Sequence, residues 1–320
     1  MIDIEDILSE PTDLDRYALA KLDGDLLLLG AGGKMGPTLA MLAKRAAPEK
    51  RVIAVSRFSD KTVAERLTQA GVEIISADLL NPEDLKKLPD VRNIMFMTGQ
   101  KFGTAGNPGA TWAMNVLLPS RVCERYPDSE FVVFSSGNIY PHTRFGATEE
   151  TPTEPVGEYA QTVLGRERVF EYYQVPSVFY RLNYAVEYRY GVLVDIAQTV
   201  LSRQPVDLSM GRLNCIWQRD ANSIALRCFG QRGPLNVTGP ETLSVKKIAE
   251  DFGKLFKIEP EFVGREGEVA LLNDASKCVR LFGYPTVGAG EAIERIAWWL
   301  EKGGKTHGKP THFEVTDGRY

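Results

Sequence analysis

The sequence is poor in the residues that build metal sites and disulfide frameworks. Only three histidines occur, and the four cysteines are scattered along the chain without a CxxC pair. No HExxH segment and no cluster of cysteine and histidine is present, so we expect no metal site. The cysteines are best interpreted as buried, reduced thiols of a cytoplasmic protein.

Runs of basic residues and long apolar runs are also lacking. The formal net charge is −4, and no basic run offers an electrostatic footprint for nucleic acid. Apolar runs such as residues 26–29 are far shorter than the roughly 20 residues of a membrane span. The acidic start lacks the pattern of a signal peptide. We therefore expect a cytoplasmic protein that binds a small molecule, and neither nucleic acid nor a membrane.

What the chain does contain is a regular alternation of two kinds of segment. Continuous apolar runs, typical of strands covered on both faces, occupy residues 25–30, 51–56, 72–76, 93–98, 130–136 and 177–181. Amphipathic stretches typical of helices lie between them, at residues 37–46, 61–70, 82–88, 112–125 and 159–173. This order predicts an α/β fold with a doubly wound parallel sheet.

The alternation stops after residue 181, which suggests a second unit. We predict a dinucleotide-binding domain over residues 1–182 and a smaller mixed α/β substrate domain over residues 183–320. Residues 215–230 are expected to return to the first domain. Helices are predicted at residues 192–203, 242–256 and 292–300, and the polar tail from residue 303 is expected to pack loosely. The ligand pocket should lie between the domains, at the carboxyl ends of the strands.

A glycine-rich turn follows the first predicted strand. Its glycines have the spacing Gly30-x-x-Gly33-x-x-Gly36, and a helix opened by proline follows. The first glycine permits a tight turn, the second lets a pyrophosphate approach the backbone, and the third lets helix and strand pack closely. The turn predicts dinucleotide binding by Gly30, Gly32, Gly33, Lys34, Met35 and Gly36.

The ends of the next strands favour one form of the cofactor. Ser56 and Arg57 stand where an NAD site usually has an acidic residue, and both can bind a 2′-phosphate. We therefore predict NADP, with NAD as the alternative. Asp78 and Leu79 are candidates for the adenine edge, although Asp78 can equally cap a helix. Thr98 and Gly99 follow the fourth strand, where the crevice should open.

Further segments resemble the extended short-chain dehydrogenase/reductase family, of the NAD-dependent epimerase/dehydratase type. They are similar in order and kind to that family's motifs: GAGGKMG at 30–36, FSSGNIY at 134–140, Tyr159 with GRE at 165–167, RLN at 181–183, WQRDA at 217–221, LNVTG at 235–239 and DASK at 274–277.

The resemblance implies a catalytic pair with one departure. Ser136 corresponds to the residue that polarises the substrate oxygen, and Tyr159 to the tyrosine that exchanges its proton. The family's lysine four residues later would lie on the same helix face, but Val163 stands there. Lys101, after the fourth strand, is a candidate replacement. Arg166 is nearly on the face of Tyr159 but two turns away, and we expect it to bind a neighbouring acid or solvent.

The resemblance also implies a sugar-like substrate and a homodimer. Candidate substrate residues follow the fifth and sixth strands or lie in the second domain; they are Asn138, His142, Asn183, Tyr184 and Arg212. For His142 an exposed loop position is the alternative, and for Tyr184 ordinary packing. Two functions remain open: an oxidoreductase or epimerase using Ser136 and Tyr159, or an NADP(H)-binding sensor or scaffold with little turnover.

Overall fold

A computed structural model describes residues 3–100, 106–315 and 318 of the chain. Its strands, numbered along the chain, are β1 (Leu26–Leu29), β2 (Val52–Ser56), β3 (Glu73–Ser76), β4 (Asn93–Phe96), β5 (Glu130–Ser136), β6 (Ser177–Leu182), β7 (Ala185–Val186), β8 (Val206–Asp207), β9 (Arg212–Leu213), β10 (Ile216–Trp217), β11 (Gly233–Val237), β12 (Leu243–Ser244) and β13 (Phe262–Val263).

Helices separate most of these strands. They are α1 (Ile4–Leu8), α2 (Asp13–Lys21), α3 (Gly36–Ala46), α4 (Lys61–Gln69), α5 (Pro82–Lys86), α6 (Pro108–Trp112), α7 (Leu118–Arg125), α8 (Gly157–Tyr173), α9 (Val192–Leu201), α10 (Gln218–Arg227), α11 (Val245–Phe256), α12 (Ser276–Phe282) and α13 (Ala289–Glu301).

The predicted doubly wound sheet is confirmed. Seven parallel strands lie in the order β11-β6-β5-β4-β1-β2-β3, so all six predicted strands are present and β11 extends the sheet beyond them. The chain order reverses between β1 and β4, which pair in register from Leu26 with Asn93. A parallel sheet opens a crevice at such a switch point, beyond the carboxyl ends of its strands.

The leucines of β1 show why this sheet is covered on both faces. Leu26 and Leu28 belong to one apolar layer, and Leu27 and Leu29 belong to the opposite layer. Successive side chains of a strand point to opposite faces, and all four leucines are fully buried. Burial of each contributes roughly 1.5–3 kcal/mol, which explains why the run is continuously apolar.

The predicted helix at 112–125 is a composite element. α6, a π-helical turn (Ala113–Leu117) and α7 follow one another without a break. Pro119 has no N–H to donate to the carbonyl of Asn115, four residues earlier, and the Leu118 N–H bonds to the Ala113 carbonyl five residues back. The resulting bulge changes the direction of side chains at Asn115.

A second apolar core lies beyond β6. Residues of α9, α11 and α13 form it, together with Ile4 and Leu8 of α1. α10 packs instead against α2 and α3 and contributes to an apolar layer of the main sheet. The division into domains at residues 182 and 183 remains a prediction.

The tail after residue 303, expected to pack loosely, is mostly exposed over residues 305–310 but packs against the protein over residues 311–315. Phe313 is buried in the second core, and the backbone N–H and hydroxyl of Thr311 both donate to Asp195. This polar segment can pack because the Asp195 carboxylate accepts hydrogen bonds from both the N–H and the hydroxyl of Thr311. The four cysteines are buried and unpaired, as expected.

Candidate active site

Two connected pockets form a crevice at the carboxyl ends of the central strands. One, of about 290 Å³, is lined by residues that follow β1 to β4. The other, of about 280 Å³, is lined by the glycine turn, the end of β5, the start of α8 and the segment after β6. Gly30, Gly33 and Met97 line both pockets, so a single elongated ligand can extend from one to the other.

The glycine turn has the geometry that its spacing predicts. Gly30 has φ +88°, and a Cβ there would lie 2.8 Å from the Thr98 nitrogen. A Cβ on Gly36 would lie 2.3 Å from the Ala31 carbonyl oxygen, so only glycine lets α3 begin this close to the turn. At Gly33 the nearest atom would be 3.5 Å away, which leaves room beside the backbone for a ligand. No side chain caps α3, so its first N–H groups face the turn unbonded by a cap.

The pocket after β1 to β4 holds both signs of charge. Ser56, exposed Arg57, Asp78 and Leu79, which the sequence suggests as cofactor-binding residues, line it. Asp78 also accepts from the Leu80 N–H at 3.0 Å, so it makes a local turn as well. Asp60 lines the same pocket, and hydrogen bonds from Thr62 hold the pKa of its carboxyl below the ordinary value. Sequence reasoning missed Asp60 because it stands four residues beyond the usual acidic position.

Thr98 and Gly99 line the crevice after β4, and the surroundings of Thr98 bear on whether a dinucleotide fits there. The Thr98 side chain is buried in the pocket wall, and its hydroxyl has no hydrogen-bond partner among the described residues. An orphaned hydroxyl beside an open glycine turn matches a ligand with hydroxyl and phosphate groups. The residues present therefore fit a dinucleotide, with the phosphates at the turn and a ribose near Thr98.

Ser136 and Tyr159 lie together in the second pocket. The Ser136 hydroxyl donates to Asn138 Oδ1 at 2.9 Å and accepts from the Asn138 N–H at 3.2 Å. Tyr159, at the start of α8, lines the same pocket, close enough for the Ser136 hydroxyl to influence its pKa. Loss of solvation raises the pKa of Tyr159 above its ordinary value, although Ser136 and the charge of Arg166 act in the opposite direction. A phenol in this setting is neutral at neutral pH and can donate a proton.

The position of the missing lysine is part of an apolar cluster. Val163 is buried with Ile139, Tyr140 and Ala147, and Tyr159 packs partly against them. These residues exclude water from the side of the phenol where the lysine would lie. Lys101, the predicted replacement, lies outside the described residues.

From the sequence we expected Arg166 to bind a neighbouring acid or solvent, but among the described residues its hydrogen-bond partners are neutral oxygens. Its side chain is buried and donates to the Phe134 carbonyl at 2.6 Å and to Asn115 Oδ1 at 2.9 Å. The spacing of the sequence correctly placed Arg166 on nearly the same face of α8 as Tyr159. The sequence could not show that Asn115, in the π-helical turn, is the hydrogen-bond partner of Arg166. Asn115 also bonds to Gln100 and Thr162, and so fastens the segment after β4 to α8.

The opposite wall of the second pocket comes from the segment after β6. Asn183 and Tyr184 line it, as predicted, and Tyr190 and Thr311 line it without having been predicted. The Asn183 amide donates to Asn214 Oδ1 at 2.8 Å, so part of its bonding capacity is structural. Lys34 reaches across the crevice to the Ala185 carbonyl at 2.8 Å, and its amine lies over the Tyr190 ring.

His142 and Arg212 lie away from Ser136 and Tyr159. His142 lines a neighbouring pocket of about 420 Å³ that shares Asn138 with the crevice, and burial lowers its pKa. Arg212 donates to the backbone carbonyls of Arg144 and Glu268. The crevice therefore brings together Asn138, Asn183 and Tyr184, but not Arg212.

Within residues 3–100, 106–315 and 318, no three side chains of His, Cys, Asp or Glu come together as metal ligands. In the same residues no helix is long and apolar enough to cross a bilayer.

Fold and crevice define a Rossmann-type α/β protein. The family model of the NAD dependent epimerase/dehydratase family matches residues 26–182. The match spans β1 to β6 and includes the glycine turn, Ser136 and Tyr159. No curated protein matches the sequence.

Solved structures with the same fold are distant in sequence. The structure of UDP-glucuronic acid 4-epimerase from Bacillus cereus in complex with NAD has a TM-score of 0.74 at 18% identity, covering 88% of this chain and 100% of that one. UDP-glucose 4-epimerase from Thermotoga maritima with UDP-glucose has a TM-score of 0.71 at 16% identity, with coverages of 87% and 99%. An epimerase from Methanothermobacter thermautotrophicus has a TM-score of 0.72 at 19% identity, with coverages of 91% and 96%.

Proposed function

We propose that this chain is an NAD(P)-dependent oxidoreductase or epimerase acting on a sugar, a nucleotide sugar or a similar small polyhydroxy or carbonyl compound. The observation that carries the proposal is that Ser136 and Tyr159 line the same pocket as the glycine turn. Similar folds include epimerases whose structures contain NAD and UDP-sugars, which supports this class of substrate.

The dinucleotide extends along the whole crevice in this proposal. Gly30, Gly33 and the start of α3 would hold its pyrophosphate, and Arg57 and Asp78 would hold its adenosine. Its nicotinamide end reaches the pocket of Tyr159 and Ser136. When bound, the dinucleotide supplies or accepts the hydride; the chain's own residues orient the substrate and move the proton.

Tyr159 is the proton donor and Ser136 the orienting group. The Ser136 hydroxyl, held by Asn138, binds the substrate oxygen beside the phenol. Because the pKa of Tyr159 is raised, its protonated form dominates near neutral pH, which favours proton donation to a carbonyl oxygen over proton abstraction from an alcohol. Asn138, Asn183 and Tyr184 supply polar atoms and an aromatic ring for a hydroxylated substrate.

The cofactor preference depends on the balance between Arg57 and Asp60. We propose NADP, because Ser56 and Arg57 can bind its 2′-phosphate. The Asp60 carboxylate acts in the opposite direction, because it would repel that phosphate. NAD is the alternative, and the similar structures named above include complexes with NAD. Arg57→Ala should weaken NADP binding roughly tenfold, whereas Asp60→Asn should strengthen it. Tighter binding of NAD than NADP by the unmodified chain would reverse this assignment.

The activity is tested with a panel of UDP-sugars and sugar aldehydes or ketones, monitored by cofactor absorbance and by chromatography of products. Tyr159→Phe should lower kcat by roughly 100-fold or more. Tyr172→Phe is the matched control, because Tyr172 lies on the same helix with 80% exposure. Unchanged turnover in Tyr159→Phe would remove the proposed role of the phenol.

A nucleotide-binding sensor or scaffold is the second candidate, and Val163 is the observation that favours it. The lysine position is apolar and closed to water, so a tyrosinate has little local stabilisation there. This candidate predicts cofactor binding without hydride transfer across the panel. One reproducible turnover of a panel compound would exclude it.

We also propose a homodimer. Trp112 at the end of α6 and Leu117 at the end of the π-helical turn are partly exposed, and Tyr172 is exposed on α8. Apolar groups on adjacent helices offer a surface for a second copy. Light scattering after size exclusion should give about twice the chain mass, and a monomer at micromolar concentration would contradict the proposal.

A further inference from the structure

Arg166 is a buried cation that no described carboxylate pairs with. The neighbouring Glu167 is committed to Arg181, with Nη2 and Oε2 2.6 Å apart. Arg166 bonds instead to one carbonyl and one amide oxygen, and its Nε has no partner among the described residues. A buried charge without a counterion is costly, so its retention calls for an interaction that the isolated chain does not show.

The guanidinium lies beneath the floor of the crevice, between its two halves. Phe134, whose carbonyl accepts from Arg166, lines the pocket of Ser136 and Tyr159. Gly99 lines the other pocket, and a Cβ on Gly99 would lie 2.8 Å from Arg166 Nη2. The absence of a side chain at Gly99 therefore gives the guanidinium its space under the ligand.

The positive charge of Arg166 also acts on Tyr159. Both residues lie on nearly the same face of α8, seven residues or about 10 Å apart along the axis. Loss of solvation lowers the pKa of Arg166 to about 10, so the side chain stays charged at neutral pH. The charge of Arg166 in turn opposes the rise in the pKa of Tyr159.

Other charged groups near this pocket are balanced or solvated. Lys34 is bonded to the Ala185 carbonyl across the crevice mouth. Glu187, on the far wall, faces Arg189 and His307. Asp195 accepts both hydrogen bonds from Thr311. Among the described residues, Arg166 is thus a buried cation under the floor that makes its hydrogen bonds to neutral oxygens, while the charge of the neighbouring Glu167, which is paired with Arg181, also acts on it.

We propose that Arg166 is a positioning residue that takes over the electrostatic part of the missing lysine's role, acting through the crevice floor on the Tyr159 phenol and on the nicotinamide end of the cofactor. This inference rests on the proposed dinucleotide binding. Its physical consequence is a bias toward the reduced nicotinamide, which is neutral, over the oxidised ring, which is positive. The bias does not require the substrate to be known.

The experiment measures dissociation constants for NADP⁺ and NADPH, and in parallel for NAD⁺ and NADH, by calorimetry and by fluorescence of the reduced forms. In Arg166→Met the ratio of the oxidised-form Kd to the reduced-form Kd should fall by about three- to twentyfold, the effect of one charge about 10 Å away at an intermediate dielectric. Arg168→Met is the matched control, since Arg168 is exposed and pairs with Glu171 on the same helix; it should leave the ratio unchanged.

Arg166→Lys keeps the test decisive if the methionine variant does not fold. A buried lysine loses its proton more easily than arginine, so the ratio should match the unmodified chain at pH 6 and fall as pH rises to 9. The unmodified chain should show no such change. Equal weakening of both cofactor forms in Arg166→Met, or a pH-independent ratio in Arg166→Lys equal to that of the methionine variant, would reduce Arg166 to a structural role. Failure of the unmodified chain to bind any of the four forms would instead refute the proposed function.

Discussion

Arg181 and Glu167 form a bidentate ion pair inside the protein, between β6 and α8. The Nη2–Oε2 distance is 2.6 Å, the Nε–Oε1 distance is 3.0 Å, and both side chains are buried. Arg181 also donates to the Tyr140 hydroxyl, which donates onward to Asn236. The pair therefore ties the helix that carries Tyr159 to two strands of the central sheet.

Removing one member of this pair should destabilise the fold. Glu167→Ala leaves Arg181 buried without its counterion, and we expect the free energy of unfolding to fall by about 3–5 kcal/mol. Urea denaturation followed by circular dichroism measures this. Glu171→Ala is the control, because the exposed pair of Glu171 with Arg168 on the same helix contributes less than about 1 kcal/mol. Equal losses in both variants would contradict the assigned role of the buried pair.

Gly36→Ala should impair the glycine turn. The added Cβ would lie 2.3 Å from the Ala31 carbonyl oxygen, so α3 must move away from β1. We expect a loss of about 1–3 kcal/mol in stability and roughly tenfold weaker dinucleotide binding, because the turn and the helix N-terminus no longer align. Gly290→Ala serves as the comparison, since a Cβ there meets nothing within 4 Å. Retained affinity in Gly36→Ala would show that the close packing is dispensable.

The pH dependence of catalysis should follow the raised pKa of Tyr159. The phenol stays protonated through the neutral range, so the rate of carbonyl reduction should be flat there and fall only as pH rises through the raised pKa. Alcohol oxidation, which needs the deprotonated phenol, should increase over the same alkaline range. Rates of reduction and of oxidation, measured at saturating substrate over a range of pH, test both expectations. A reduction rate that already falls near neutral pH would contradict the raised pKa of Tyr159.

Burial of the Asp195 carboxyl should make stability depend on pH. Loss of solvation raises the pKa of Asp195 above its ordinary 3.8 despite the hydrogen bonds from Thr311. A carboxyl whose folded pKa is raised contributes most below its unfolded pKa and loses that contribution as pH rises through the folded value. Relative to Asp195→Asn, which keeps an acceptor oxygen, the unmodified chain should therefore lose stability as pH rises above about 4.

Two further variants separate this effect from packing of the tail. Asp195→Ala removes the acceptor and should release Thr311 from the crevice wall, seen as faster proteolysis after residue 303. Thr306→Ala is the control, because its hydroxyl makes only an exposed contact with Gln198. A pH profile of unfolding that is parallel for the unmodified chain and Asp195→Asn would contradict the pKa argument.

The sequence predicted the fold well because its signals are local. Strands were predicted from continuous apolar runs, and the first turn from the spacing of its glycines; both signals lie within a few neighbouring residues. The seven-stranded sheet and the two apolar layers that cover β1 confirm the predicted strands. β11 was missed because Pro234 and Asn236 hide its strand character in the sequence. The π-helical turn at Asn115 was missed because a proline inside a helix predicts a kink but not the direction of the side chains around it.

The sequence by itself determined the turn of Gly30, Gly33 and Gly36, the pairing of Ser136 with Tyr159 on adjacent elements and the replacement of lysine by Val163. Only the tertiary structure decided that Asp60 and Thr311 line the crevice, that Arg212 does not, and that Arg166 is buried beneath its floor. Backbone preferences and helical spacing depend on short stretches of chain, so they can be inferred from the sequence. Burial and the pairing of charges depend on segments that are distant in sequence and meet only when the chain has folded.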